Sequence, residues 1–187
     1  MVYRPRVIEQ KLQEYQEFFP VIGITGPRQS GKSTLLLEKL PNYAYVNFDD
    51  IRFLESFYDD PERFMRLNGH QVIFDEVQRV PELFNYIKIA VDKDRQTYGK
   101  FIVTGSSQFS LMKKISESLA GRIGLLSLLP YQFAELPKNV YEDAVFRGSY
   151  PELVERNYSL SGDWFASYID TYLKIKIYFK IHEVCIS

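Results

Sequence analysis

Apolar positions along the chain follow two rhythms in alternation. Residues 7–19 interleave Leu12, Tyr15, Phe18 and Phe19 with charged positions at helical spacing until Pro20, which predicts a first helix within residues 6–19. A short apolar run, Val21, Ile22 and Ile24, then predicts a buried strand over residues 21–25. Helix and strand continue in turn: helix 31–40, strand 43–48 after the Pro41-Asn42 turn, and a helix from Ile51 capped by Asp49-Asp50. That helix breaks and restarts at Asp59-Asp60-Pro61-Glu62 and stops at Asn68-Gly69. Next come strand 71–74, helix 81–98 with Leu83, Phe84, Ile87 and Val91 on one face, strand 100–103, helix 109–119 and strand 122–129. The pattern predicts an α/β fold of three layers, a parallel sheet covered on both faces.

After Pro130 the rhythm changes to short helical pieces. The expected organisation is a core over residues 1–129, a small helical segment over 130–173 and a separate tail over 174–187. In the tail Ile175, Ile177, Phe179 and Ile181 alternate with Lys174, Lys176, Tyr178 and Lys180, a period of two that suits a strand.

Composition narrows the chemistry. The chain of 187 residues is 45% apolar, with 14 Phe and 14 Tyr, so it can bury a well-developed core. Its 23 Lys and Arg against 24 Asp and Glu leave a net charge of -1 and no general attraction to nucleic acid or anionic membrane. Nucleic acid would need a local patch, for which Lys113, Lys114 and Arg122 form a modest cluster. No apolar run approaches the ~18–20 residues of a spanning helix, and a cytoplasmic location is expected. Cys185 reads as a small apolar residue, and His70 and His182 lie too far apart for a zinc site.

The strongest chemical signal is Gly26-Pro27-Arg28-Gln29-Ser30-Gly31-Lys32-Ser33, which fits G-x-x-x-x-G-K-[ST] directly after the first strand. The pattern arises by chance in roughly one chain in a hundred of this length, and its position after a strand makes chance a poorer account still. Gly26 and Gly31 let the backbone turn its N–H groups toward phosphate, and the helix that follows adds its own unpaired N–H groups. Lys32 brings a point charge to the outer phosphates, Ser33 a hydroxyl for Mg2+, and Thr34 follows near the α-phosphate.

A second half of the site is expected at Asp75-Glu76, after the apolar Val72-Ile73-Phe74. Asp75 at the carboxyl end of its strand suits the metal's water shell, and Glu76 suits a general base. An acidic helix cap is the plainer alternative. The turn Thr104-Gly105-Ser106-Ser107 offers Thr104 or Ser106 as a polar sensor of the γ-phosphate or the attacking water, with hydroxyl caps in an ordinary turn as the alternative. Among arginines that can meet developing charge, from the same or a neighbouring chain, Arg122 comes first, then Arg28 and Arg79. Gln78 reads as a cap for the helix at Pro81, with polarising a water as the alternative.

The strand at 43–48, inserted between the two motifs, and the adjacent Asp75 and Glu76 are similar to the branch of P-loop ATPases with strand order 5-1-4-3-2. More specifically, Gly26 to Thr34, Asp75-Glu76-Val77-Gln78-Arg79-Val80-Pro81-Glu82-Leu83, Thr104-Gly105-Ser106-Ser107, Ala120-Gly121-Arg122 and Gly148-Ser149-Tyr150-Pro151-Glu152 resemble the prokaryotic AAA-like ATPases that carry a nuclease-like C-terminal domain of unknown function. The resemblance spans roughly residues 18–173. It implies ATP rather than GTP, Mg2+, and the roles given for Lys32, Ser33, Asp75 and Glu76, and it names no physiological substrate. The sequence departs from the family after Leu173, where the further domain is missing, so a truncated or frame-shifted product with a weakly ordered tail is expected.

The function expected is Mg-dependent ATP binding and hydrolysis by Lys32, Glu76, Thr104 and Arg122. The alternative is a nucleotide-controlled interaction switch with little hydrolysis of its own. A kinase would need an acceptor pocket and an arginine-rich lid, of which the sequence gives no clear sign. Self-association or a protein partner is left open.

Overall fold

The computed structural model describes residues 3–105 and 118–174, in two compact units, Met1–Glu135 and Leu136–Ser187. In the first, α1 (Ile8–Gln16) precedes β1 (Val21–Thr25), α2 (Lys32–Lys39), β2 (Ala44–Asn47), α3 (Ile51–Asp59), α4 (Pro61–Leu67), β3 (Val72–Asp75), α5 (Leu83–Lys93), β4 (Phe101–Gly105) and β5 (Ile123–Ser127). All strand pairs are parallel, in the order β2-β3-β4-β1-β5, which is 5-1-4-3-2 read from the other edge. The expected fold class and strand order are therefore those observed.

The strands are apolar on both faces because helices cover both. In β1, β3 and β4, Val21, Val72, Phe74, Phe101 and Val103 face one core, where Phe57 of α3, Phe64 of α4 and Leu83, Phe84, Ile87 and Val91 of α5 join them. The alternate positions Ile22, Ile24, Ile73 and Ile102 face the other, against Leu12 of α1 and Leu35 and Leu36 of α2. Phe48, Phe64, Phe74 and Phe101 stack in series at centroid spacings of 6.0–6.2 Å. Each such buried side chain contributes about 1.5–3 kcal/mol by the area it removes from water.

Local signals set the helix ends. Asp50 caps α3 by accepting from the Arg52 N–H at 2.9 Å, and Asp60 caps α4 by accepting from the Arg63 N–H at 2.8 Å, with Pro61 in the first turn. Helix α5 is shorter than the predicted 81–98: it ends at Lys93, capped by Asp94, leaving the turn that contains Gly99. The expected helix 109–119 and the tail beyond Lys174 lie almost wholly outside the described residues.

In the second unit α6 (Tyr141–Arg147), α7 (Pro151–Glu155) and α8 (Ser161–Tyr168) are short, and a π turn (Ile169–Leu173) extends α8. Val140, Leu153, Val154, Tyr158 and Tyr168 are buried. Tyr150, Trp164, Phe165 and Tyr168 cluster, and the Trp164 indole N–H donates to Glu152 Oε2 at 3.0 Å.

Candidate functional site

Parallel strands carry the loops that follow them to one rim of the sheet, and the carboxyl ends of β1, β3 and β4 bring the polar residues of the sequence motifs together there. The turn from Gly26 to Gly31 joins β1 to α2. Gly26 has φ 153°, and a Cβ on it would lie 2.1 Å from the Leu128 carbonyl oxygen, so only glycine fits this approach. Gly31 is left-handed, φ 93°, and is the residue from which α2 starts. Gln29 also has positive φ. Arg28, Gln29 and Thr34 are exposed, Pro27 is half-buried, and Ser30 is fully buried.

Lys32 is 6% exposed and folds back over the turn. Its ammonium donates to the Gly26 and Pro27 carbonyls at 3.1 and 3.0 Å. Ser33 lies one residue further along α2 and donates its hydroxyl to Asp75 Oδ2 at 2.7 Å, although the two residues are 42 positions apart. The loop and the β3 carboxylate thus converge.

Asp75 is 3% exposed and closely held. Its Oδ1 accepts from the Glu76 N–H at 3.0 Å, and its Oδ2 accepts from Ser33 and from the Tyr45 hydroxyl. Burial, followed by that hydrogen bond, pushes the Tyr45 phenol above its usual range, so it remains a donor at neutral pH. Tyr45 is a site residue that the motif search passes over. Its signal was the period-two pattern of strand β2: Asn47 pairs with Asp75, and Tyr45 lies two residues earlier on the same face.

Glu76 turns the chain sharply after β3 in a left-handed conformation, φ 55° and ψ 41°, which costs a non-glycine residue about 1–2 kcal/mol. Gln78, expected as a cap for the helix at Pro81, instead donates its amide to the Glu76 carboxylate. Thr104 is fully buried on β4. Since Phe74 pairs with Val103, Thr104 lies one step further along beside Asp75, on the α2 face of the sheet. Ser106 lies outside the described residues.

Three buried side-chain atoms among the described residues lack a hydrogen-bond partner: Ser30 Oγ, Thr104 Oγ1 and Gln78 Oε1. Ser30 and Gln78 lie in the segments that follow β1 and β3, and Thr104 lies near the carboxyl end of β4. Buried polar groups are ordinarily satisfied, so these atoms make this rim a candidate for contacts beyond those among the described residues.

Arg122, expected to act on the γ-phosphate of its own or a neighbouring chain, lies away from the loop of its own chain. It immediately precedes β5, its carbonyl accepts from Val21 at the start of β1, and its guanidinium pairs with Asp92 near the end of α5 at 2.9 Å. The whole of β1, about 13 Å at strand rise, separates it from the loop. The physical reason is that residues before a strand of a parallel sheet fall on the amino rim. Arg79 pairs with Asp49 at 2.8 Å. Of the basic cluster, Lys113 and Lys114 lie outside the described residues.

The AAA domain family matches over residues 19–137. An uncharacterized protein of Mycobacterium tuberculosis and one of Mycobacterium bovis are each 30% identical over 157 residues, 83% of this chain and 35% of theirs. The chain therefore spans about a third of the length of the curated relatives it matches. Among solved structures, the Walker-type ATPase of Pyrococcus abyssi shares the fold with TM-score 0.57 at 20% identity, over 97% of this chain and 75% of that one. AMPPCP-bound DnaA from Aquifex aeolicus does so with TM-score 0.51 at 14% identity, over 95% and 66%. No helix among the described residues is long and apolar enough to cross a membrane. With sheet order, loop and family match in agreement, the chain belongs to the AAA domain family, within the AAA-like P-loop ATPases.

Proposed function

We propose that this chain binds Mg-ATP on the carboxyl rim of its sheet and hydrolyses it. The observation that carries the reading is the 2.7 Å hydrogen bond from Ser33 to Asp75, which unites the two halves of a phosphate and metal site. The all-oxygen donor set of Ser33, Asp75 and Tyr45 suits Mg2+, a hard cation that keeps several waters, and the ion would supply charge to offset the β- and γ-oxygens. Ser33 would ligate it, Asp75 would hold its water shell, and Tyr45 would fix the Asp75 carboxylate.

The loop amides and Lys32 hold the phosphates. Glu76 takes a proton from water, whose oxygen bonds to the γ-phosphorus as the bond to the β,γ-bridging oxygen breaks, leaving ADP and phosphate. Thr104 Oγ1, buried and without a protein partner beside Asp75, serves as the polar sensor of the γ-phosphate or the water.

A second reading, a nucleotide-controlled interaction switch that hydrolyses slowly alone, is favoured by the position of Arg122 on the opposite rim. A guanidinium for the transition state would then come from a neighbouring copy or another partner. ATP, a second copy and a protein partner are the proposed partners, and a cytoplasmic location is proposed with them.

Thermal unfolding with Mg-ATP, Mg-GTP or neither tests the binding claim. ATP at about 100 times its dissociation constant should add roughly 2.7 kcal/mol of stability, with GTP adding less. Phosphate release on the same samples separates the two readings. A transition indifferent to every nucleotide would sink both.

A further inference from the structure

Arg6 lies far from the recognised motifs, yet it is buried directly against the phosphate loop. Its side chain is 4% exposed and that of Glu135 is 2% exposed, and Arg6 Nε donates to Glu135 Oε2 at 3.1 Å. The remaining guanidinium nitrogens are also used: Nη1 donates to the Ser30 carbonyl at 2.9 Å and Nη2 to the Leu129 carbonyl at 2.7 Å. Glu135 in turn accepts from the Val7 N–H at 2.6 Å and the Gln132 N–H at 2.7 Å. A buried ion pair adds little net stability against apolar replacements of the same size, so its placement asks for another account.

The Ser30–Gly31 peptide gives that account. No peptide bond described is cis, so the Ser30 carbonyl and the Gly31 N–H point in opposite directions. Gly31, at φ 93°, has the conformational freedom that lets this peptide plane turn over cheaply. Turned over, it would aim a carbonyl at the phosphates and withdraw a donor. We infer that Arg6, braced by Glu135, is a positioning residue that draws the Ser30 carbonyl toward the protein and thereby aims the Gly31 N–H at the nucleotide's phosphates. The inference rests on the reading of this loop as a phosphate site.

The test uses the full chain, with Mg-ADP affinity by calorimetry and the Gly31 amide resonance by NMR. In the wild type Mg-ADP should move the Gly31 amide proton downfield. Arg6→Met should weaken Mg-ADP by about tenfold or more and abolish that shift, and Arg6→Lys, which keeps charge but loses the fork, should recover part of both. A merely structural role would lower the melting temperature while leaving affinity and the Gly31 shift of the folded protein intact, and that result overturns the inference. Should Arg6→Met not fold, Arg6→Lys and Glu135→Gln decide by the same two readouts. A wild type that binds no nucleotide overturns the phosphate site and this inference together, whereas wild-type binding with indifferent variants overturns the inference alone.

Discussion

The two rims of the same sheet are finished differently. On the amino rim the polar groups are matched within the chain: the Tyr43 hydroxyl donates to the Gly99 carbonyl at 2.7 Å, Lys100 reaches Asp94 at 3.3 Å, and Arg122 pairs with Asp92. On the carboxyl rim Ser30, Gln78 and Thr104 each bury an atom that has no hydrogen-bond partner among the described residues, and the Lys32 ammonium donates to the Gly26 and Pro27 carbonyls. Left-handed residues do not separate the rims, since Gln71 and Gly99 have positive φ on one and Gln29 and Glu76 on the other. What separates them is satisfaction. Among the described residues one rim is matched by the fold, and the other keeps the open polar atoms that the proposed ligand site would use.

That contrast breaks most sharply at Glu76. Glu76→Gln keeps the shape of the rim and removes the base, so phosphate release should fall about 100- to 10,000-fold while Mg-ATP affinity stays near that of the wild type. Comparable turnover in the variant would take Glu76 out of the chemistry. Next in size is Lys32→Ala, which deletes the buried ammonium. Mg-ATP affinity should fall about 100-fold or more, read by calorimetry, since the proposed charge-assisted contact to phosphate would disappear. Tight binding by this variant would remove the loop from the site. Tyr45→Phe is subtler. Without the phenol's hydrogen bond the Asp75 carboxylate is less firmly placed, and the Mg2+ concentration for half-maximal ATP binding should rise about three- to tenfold. With the metal chelated, Tyr45→Phe and wild type should bind ATP equally weakly; a difference that persists without Mg2+ would assign Tyr45 to the nucleotide itself.

Much of this rim was legible in the sequence because its chemistry is local. Gly26 to Ser33 is one contiguous run, and Asp75-Glu76 follows an apolar strand, so spacing alone placed both at strand ends. The sheet order followed from a resemblance rather than from periodicity, which cannot rank parallel strands. What stayed hidden depends on contacts between distant segments. Arg6 and Glu135 are 129 positions apart, and neither has a neighbour in sequence that announces the pair. Tyr45 belongs to no motif, and only the pairing of β2 with β3 and the reach of its hydroxyl bring it to Asp75. Arg122 is close to Thr104 along the chain, but it precedes a strand whereas Thr104 ends one, and only the sheet's topology shows that these positions fall on opposite rims.

Arg122→Ala supplies the smallest effect and the finest test of the rims. Its partner Asp92 is at the surface, so losing the pair should lower the melting temperature only slightly, and less at high salt, where exposed charges are screened. ATP affinity of the dilute chain should not change, because the guanidinium cannot reach its own loop. Turnover is the informative quantity. If hydrolysis by the wild type rises with protein concentration and that rise is lost in Arg122→Ala, the closed rim of one copy completes the open rim of the next. Mixing Arg122→Ala with Glu76→Gln then gives a direct check, since a junction of Glu76 from one variant with Arg122 from the other restores turnover that neither has alone. Concentration-independent hydrolysis, equal in wild type and Arg122→Ala, would instead leave each rim to its own chain and confine the amino rim to holding the sheet together.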